Sequence, residues 1–315
     1  MHAQHQDLAS ARNTQRPTER TPHHPTGQRA DDIDPFFVFD YVPIDGPDDT
    51  PRDGDGGGAE DTTEDQRFTT YWDVDKGCRG PAPVPDWVVT DSGAIDTDLG
   101  VLKTGKEADV FLLERTAPDG TGIVMAAKRY RDLDHRSFRR SGVYTESRTA
   151  RRSRDRRALT RKSSYGRSVA AVQWAIAEWD ALCRYWSAGL PVPYPVQVDG
   201  TEILMELIEY ADTPAPRLAQ VRPGPDLLEE YFEQLGTAIS VMAGEGLAHG
   251  DLSAYNILAA GERLVIIDLP QVIDLIANPN GPELLMRDCR NVCSWFQARG
   301  LDVDPQVLFE EVKPV

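Results

Sequence analysis

Two carboxylates and an amide toward the C-terminal end of the chain have the types and the spacing to handle phosphate. In LAHGDLSAYNIL, Leu247 to Leu258, Asp251 and Asn256 stand five positions apart, and Asp268 ends the run LVIID twelve positions further on. Phosphoryl transfer asks little covalent work of a protein. It needs a carboxylate that orients and deprotonates the acceptor hydroxyl, and oxygen ligands for the metal that bridges the phosphates. Asp251, Asn256 and Asp268 supply those types, and an oxygen-only ligand set suits Mg²⁺ rather than zinc. Taken singly, each has an ordinary reading: a turn or cap residue, a loop amide, a strand-end carboxylate. Their joint register carries the chemistry.

Upstream, KTGKEADVF runs from Lys103 to Phe111 just ahead of a strand. Backbone N–H groups around Gly105, helped by Thr104 and Lys106, could cradle phosphate oxygens. Lys128 lies on the following strand, and a buried strand lysine needs a carboxylate partner. Glu178 offers one from the middle of the next helix, with Trp174 and Leu182, four residues to either side, on its face.

The elements that must hold these residues follow from periodicity. ADVFLL (108–113) reads as a strand, APDGTG (117–122) as a turn and IVMAAKRY (123–130) as the hairpin partner. Val169, Val172, Ile176, Trp179, Leu182, Cys183 and Trp186 recur at helical intervals and predict an amphipathic helix ending before Gly189 and Pro191. A proline-rich connection, a hairpin at Asp199-Gly200 and an apolar strand over 203–208 come next. A helix near 227–243, short strands at 257–258 and 264–267, and a helix over 282–299 complete the pattern.

Composition bounds the rest. The 315 residues hold 34 Lys+Arg against 51 Asp+Glu, a net charge of -17, which argues against a general nucleic-acid-binding surface. No apolar run approaches the roughly 20 residues of a bilayer crossing, so a cytoplasmic address is expected. Cys78, Cys183, Cys289 and Cys293 are too scattered for a disulfide framework or a zinc site, and Cys289 with Cys293 reads as a packed helix face. Residues 1–85 are poor in aliphatics and rich in Asp, Gly, Pro and Thr, a composition that predicts a disordered acidic tail. Phe36, Phe37, Phe39 and Tyr41 form an aromatic exception able to dock on a partner or on the folded part. Between Lys128 and Ser168, 15 Lys/Arg face only 4 Asp/Glu, a basic island in an acidic chain.

With these pieces in place, the sequence resembles the RIO-type atypical serine/threonine protein kinases. TGKEADVF at 104–111, the lysine strand, WAIAEWDAL at 174–182, LMELI at 204–208, HGDLSAYN, IIDLPQ and RDCRNVCSWF at 287–296 occur in that family's order. The resemblance covers roughly residues 87 to 300. It implies an α+β, bilobal protein-kinase-like fold with a β-rich N-lobe (86–209, with a basic loop insertion at 131–166) and a mostly helical C-lobe (210–315). It implies ATP and Mg²⁺ as cofactors, Asp251 as the catalytic carboxylate, and Asn256 and Asp268 as metal ligands. Lys128 with Glu178 would position the nucleotide, and Met205, Glu206 and Leu207 would border the adenine. In this family Asp268 would also stand where phosphate is accepted transiently, so an ATPase cycle is implied beside transfer to Ser/Thr or to the enzyme itself.

The chain departs from the general protein-kinase pattern. His249-Gly250-Asp251 lacks the arginine before the catalytic Asp, Leu269-Pro270 follows Asp268, and no A-P-E segment follows. His249 is expected to hydrogen-bond within its loop rather than act as a base. The arginine cluster within 129–167 could touch RNA or a ribosome, or be autophosphorylated. Two alternatives stand beside a protein kinase: a small-molecule phosphotransferase of the aminoglycoside or choline kinase type, and an ATP-gated ribosome or RNA assembly factor.

Overall fold

The computed structural model describes residues 42–43, 65–131, 164–269 and 272–314. A seven-stranded antiparallel sheet organises the N-lobe. β1 (Val42–Pro43) and β2 (Gln66–Phe68) both pair with the outer edge of β3 (Ile95–Lys103). β4 (Ala108–Thr116) and β5 (Gly122–Tyr130) follow as a hairpin, turning at Gly120 with φ +86° where Asp119 accepts a hydrogen bond from the Thr121 N–H at 2.8 Å. β6 (Pro195–Asp199) and β7 (Glu202–Glu206) close the sheet, with β7 inserted beside β5.

The sheet is covered on both faces, which explains why Met125, Ala126 and Ala127 of β5 are buried in succession. On one face Ala126, Tyr130, Ile203 and Met205 pack toward α1 (Ser164–Ser187). The buried stripe of that helix is Ala171, Ala175, Trp179, Leu182 and Tyr185, whereas Val172 and Ile176, assigned to the core by periodicity, are each 38% exposed. Alanines on the inner stripe let the helix lie close to the strands.

On the other face Leu113, Met125, Ala127 and Leu204 pack against Tyr71 and Val88. These last two belong to a segment that belts the lobe. β2 covers one sheet edge, and at the opposite edge Arg79 bridges Gln197 while the Gly80 N–H donates to the Val196 carbonyl at 3.0 Å. A Cβ at Gly80 would lie 2.1 Å from the Pro195 oxygen, so the close approach requires glycine. The disordered tail expected to run to residue 85 is therefore corrected: residues 65–85 are folded, held by backbone pairing and a few buried side chains such as Thr69 and Tyr71. The aromatic patch at 36–41 lies outside the described residues.

A hairpin of β8 (Glu209–Tyr210) and β9 (Thr213–Pro214) leads into the C-lobe. There, α2 (Pro225–Gly244), α3 (Gly281–Gln297) and α4 (Pro305–Val312) pack around Leu235, Ile239, Cys289, Cys293 and Phe296. Proline in the first turn opens each of these three helices. β10 (Leu247–Ala248) pairs with β13 (Ile273–Asp274), and β11 (Ile257–Ala260) pairs with β12 (Arg263–Ile266). The Ile257↔Ile266 register sets Asn256 beside Ile267, whose N–H donates to the Asn256 carbonyl at 2.9 Å. One hairpin thus carries the Asp251–Asn256 loop at one end and Asp268 at the other. β3 and α4 were not anticipated from the sequence. Among the described residues no helix is long and apolar enough to cross a membrane.

Candidate active site

Alternation along β5 puts Ala126, Lys128 and Tyr130 on the face that meets α1. Lys128 Nζ lies 2.7 Å from Glu178 Oε1 and 2.8 Å from Asp268 Oδ1. The second Glu178 oxygen accepts from the Tyr130 hydroxyl, and the Leu269 N–H donates to Glu178 Oε1 at 3.2 Å. The Glu178 carboxylate, 2% exposed, is therefore satisfied by two side chains of β5 and by the backbone of the segment after β12 at once. Burial pulls the Lys128 pKa down, but Glu178, Tyr130 and Asp268 outweigh it and hold the ammonium well above its ordinary range. The positive charge of Lys128 draws the Asp268 carboxyl below its ordinary value. Asp268 has φ +66°, a left-handed conformation that Asp adopts at small cost, and its side chain remains 48% open to solvent.

The loop that follows β10 is held by its backbone. Asp288 on α3, 1% exposed, accepts the Gly250 N–H at 2.8 Å and the Leu252 N–H at 2.9 Å. Burial raises the Asp288 pKa, against the pull of those two donors and of His249. His249 Nδ1 accepts from the Asp251 N–H at 3.3 Å, so the other ring nitrogen, 3.2 Å from the Ile267 carbonyl, carries the proton and donates. This is the loop-bracing role expected of His249. Asn256 Nδ2 donates to the Asp251 carbonyl at 2.9 Å, which leaves its Oδ1 as the oxygen available to a metal.

Between the lobes lies a cleft of about 920 Å³. Of the residues singled out from the sequence, Gly105, Lys106, Lys128, Glu178, Met205, Glu206, Leu207, Asp251 and Asp268 line it together. Thr104 and Asn256 are not among its lining: Thr104 is exposed, and Asn256 is buried beneath the Asp251 backbone. Gly105 is demanded by space, since a Cβ there would lie 2.5 Å from the Ala108 carbonyl. Its N–H donates to Asp109 Oδ1 at 3.2 Å, tying the loop to the start of β4.

Sequence reasoning missed several contributors. Tyr130 had a signal, its place two residues from Lys128 on the same strand face. Asp288 sits inside the RDCRNV segment, but only the fold shows that it braces the loop. Arg217 reaches the cleft from a segment with no motif, and Leu258, at the end of LAHGDLSAYNIL, adds an apolar wall that the motif's spacing did not announce. Within the basic island, Arg129 is ion-paired with Asp98 and Glu202, and Arg131 with Asp109. Most of the remaining cluster lies outside the described residues.

The donor set fits a magnesium nucleotide. Val110, Ala126, Met205, Leu258 and Ile267 offer apolar walls to a flat base, and Asp251, Asp268 and Lys128 gather at the polar end. Among the described residues no three His, Cys, Asp or Glu side chains form a metal cage. Mg²⁺ would thus draw further oxygens from phosphate and water, as it ordinarily does.

Comparison with known proteins identifies the family. A family model described as RIO domain matches residues 117–308. The chain is 36% identical over 225 residues to the RIO-type serine/threonine-protein kinase Rio1 of Haloferax volcanii, covering 70% of each. It is 30% identical over 216 residues to the Rio1 kinase of Methanocaldococcus jannaschii, covering 68% of each. A Rio2 kinase from Chaetomium thermophilum, solved as an ADP/Mg²⁺-phosphoaspartate complex, aligns with TM-score 0.48 and 22% identity over 67% of this chain and 60% of that one. By the span of the family model and the extent of the archaeal matches, the chain belongs to the RIO-type serine/threonine protein kinase family.

Proposed function

We propose that the chain uses the cleft between its lobes to transfer the γ-phosphoryl group of ATP to a Ser or Thr hydroxyl, on a protein substrate or on itself. One observation carries this reading: Lys128 joins Glu178 at 2.7 Å and Asp268 at 2.8 Å in a cleft that Asp251 also lines. A triphosphate at the polar end meets the Lys128 ammonium, which Glu178 and Tyr130 hold in place. Asp251 orients the acceptor hydroxyl and takes its proton. Asp268 and the free Asn256 oxygen would hold Mg²⁺, which when bound neutralises charge developing on the phosphates. Met205, Glu206 and Leu207 border the base, with Thr104 acting through the backbone of its loop. The Glu178 clasp is complete without a phosphorylated activation segment, which accords with the missing A-P-E segment.

Incubation with radiolabelled ATP and Mg²⁺, offered proteins, sugars and aminoglycosides in parallel, tests the acceptor class. Label on Ser or Thr of protein, or on the chain itself, is the expected result. Label on small molecules alone would contradict it, and acid-labile label on the chain would point to Asp268 and an ATPase cycle. A cytoplasmic address belongs to the same proposal. RNA or ribosome contact would rest on the arginines beyond 131, and co-purifying RNA that is lost on neutralising Arg151, Arg152, Arg156 and Arg157, with catalysis intact, would establish it.

A further inference from the structure

Three of the cations that line the cleft touch no carboxylate directly. Lys103 and Lys106 flank Gly105 on the N-lobe and Arg217 faces them from the C-lobe. Among the described residues none of the three makes an ion pair. Lys128, by contrast, is already engaged by two carboxylates. The charge that answers a polyphosphate must therefore come in good part from elsewhere in the cleft.

Arg217 is built to contribute. Its backbone bridges Leu258, at the apolar end, and its Nη1 donates to the carbonyl of Tyr255, inside the loop between Asp251 and Asn256. The guanidinium thus lies along the cleft floor and spends one of its five donors on a neutral acceptor. Burial lowers its pKa, and its charge is felt by the Asp268 carboxyl, which places it in the electrostatic neighbourhood of the proposed metal ligand. Lys103 stands on the opposite lip, on an exposed strand end. Partial desolvation, then the Arg217 charge, pull its ammonium down to about 8. Two like charges from different lobes face one space, an arrangement that an anion between them would relieve.

We infer that Arg217 and Lys103 form a two-lobed clamp on the nucleotide polyphosphate, with Arg217 a positioning residue for the phosphoryl donor. The inference rests on the nucleotide reading above and adds a grip from the C-lobe that no motif marks. Calorimetric titration of ATP and adenosine, each with Mg²⁺, into wild type, R217Q, R217K and K103M tests it. R217Q should weaken ATP about tenfold while adenosine changes by less than about twofold, as loss of charge-assisted bonds to phosphate requires. R217K should recover part of the loss, and K103M should lower ATP affinity selectively but less. Equal losses for ATP and adenosine would make Arg217 a structural residue and overturn the clamp, as would unchanged ATP affinity. Should R217Q fail to fold, K103M on its exposed strand end carries the same contrast. A wild-type chain that binds no ATP would instead defeat the nucleotide reading itself.

Discussion

Two buried ion clusters sit on neighbouring strands of one sheet, and they differ in what they leave open. On β4, Arg115 is fully buried and forms a bidentate pair with Asp96 at 2.6 and 2.9 Å. It also donates to Gln197 at 2.9 Å, which in turn reaches Thr70 in the belt. Asp96 is 1% exposed, and the solvent-facing group it meets is Arg67, a cation 3.9 Å away, so no carboxylate of that cluster is open to water. On β5, Lys128 pairs with a buried Glu178 and with an Asp268 that is 48% exposed. The chemistry of the two clusters is alike. What separates a brace from a working site is the open carboxylate at the end of the second chain of contacts, and the choice of a compact ammonium over a planar guanidinium that would lock a bidentate geometry.

The same substitution in each cluster breaks that comparison most sharply. Asp268→Asn should reduce turnover by about 10²–10³-fold, the scale of losing a charge aimed at the transition state. Its thermal stability should change little, because the side chain is half exposed and Asn tolerates the left-handed backbone. Asp96→Asn should do the reverse, costing about 3–5 kcal/mol of stability by stranding the Arg115 guanidinium, with turnover per folded molecule unchanged. Denaturant unfolding and initial-rate assays on both variants check the pair. If Asp96→Asn lost activity without losing stability, the sealed cluster would be more than a brace. Restoring stability by pairing Asp96→Leu with Arg115→Met would sharpen the point, since a matched apolar replacement removes the uncompensated charge.

A smaller effect concerns pH. Lys103 is drawn down to about 8, so it is charged below that pH and neutral above it. ATP affinity should therefore fall as pH rises through about 8, and Lys103→Met should flatten that slope while lowering the plateau. Titrations between pH 7 and 9.5, roughly spanning the lowered value and the ordinary lysine range, read this directly; an identical slope in the variant would remove Lys103 from the clamp.

The parts of this site legible in the sequence were those whose logic is local. Asp251, Asn256 and Asp268 are carried by one loop and one hairpin, which brings Asp251 and Asp268 to the cleft and leaves Asn256 beneath the Asp251 backbone. Lys128 and Glu178 are fifty residues apart, yet a strand and a helix with clear periodicity told which faces they occupy. Asp288, Arg217 and the belt were hidden for different reasons. Asp288 acts on backbone N–H groups 36 to 38 residues away, which carry no side-chain signature. Arg217 reaches the cleft through a single bridge to Leu258. The belt covers the sheet edges through main-chain pairing in a stretch whose composition looks like its polar neighbour. The outward turn of Val172 and Ile176 shows the limit of periodicity: alanines, neutral in any hydropathy pattern, were the residues that chose the buried face.

The central claim is that Lys128, Asp251 and Asp268 gather about one triphosphate, with the Asn256 oxygen reaching its metal from beneath the Asp251 backbone. A crystal structure with a non-hydrolysable ATP analogue and Mg²⁺ tests it most directly. The expected density has the phosphates against Lys128, magnesium touching Asp268 and Asn256, and the γ-phosphate facing Asp251. A nucleotide bound elsewhere, or a metal held without Asp268, would contradict it.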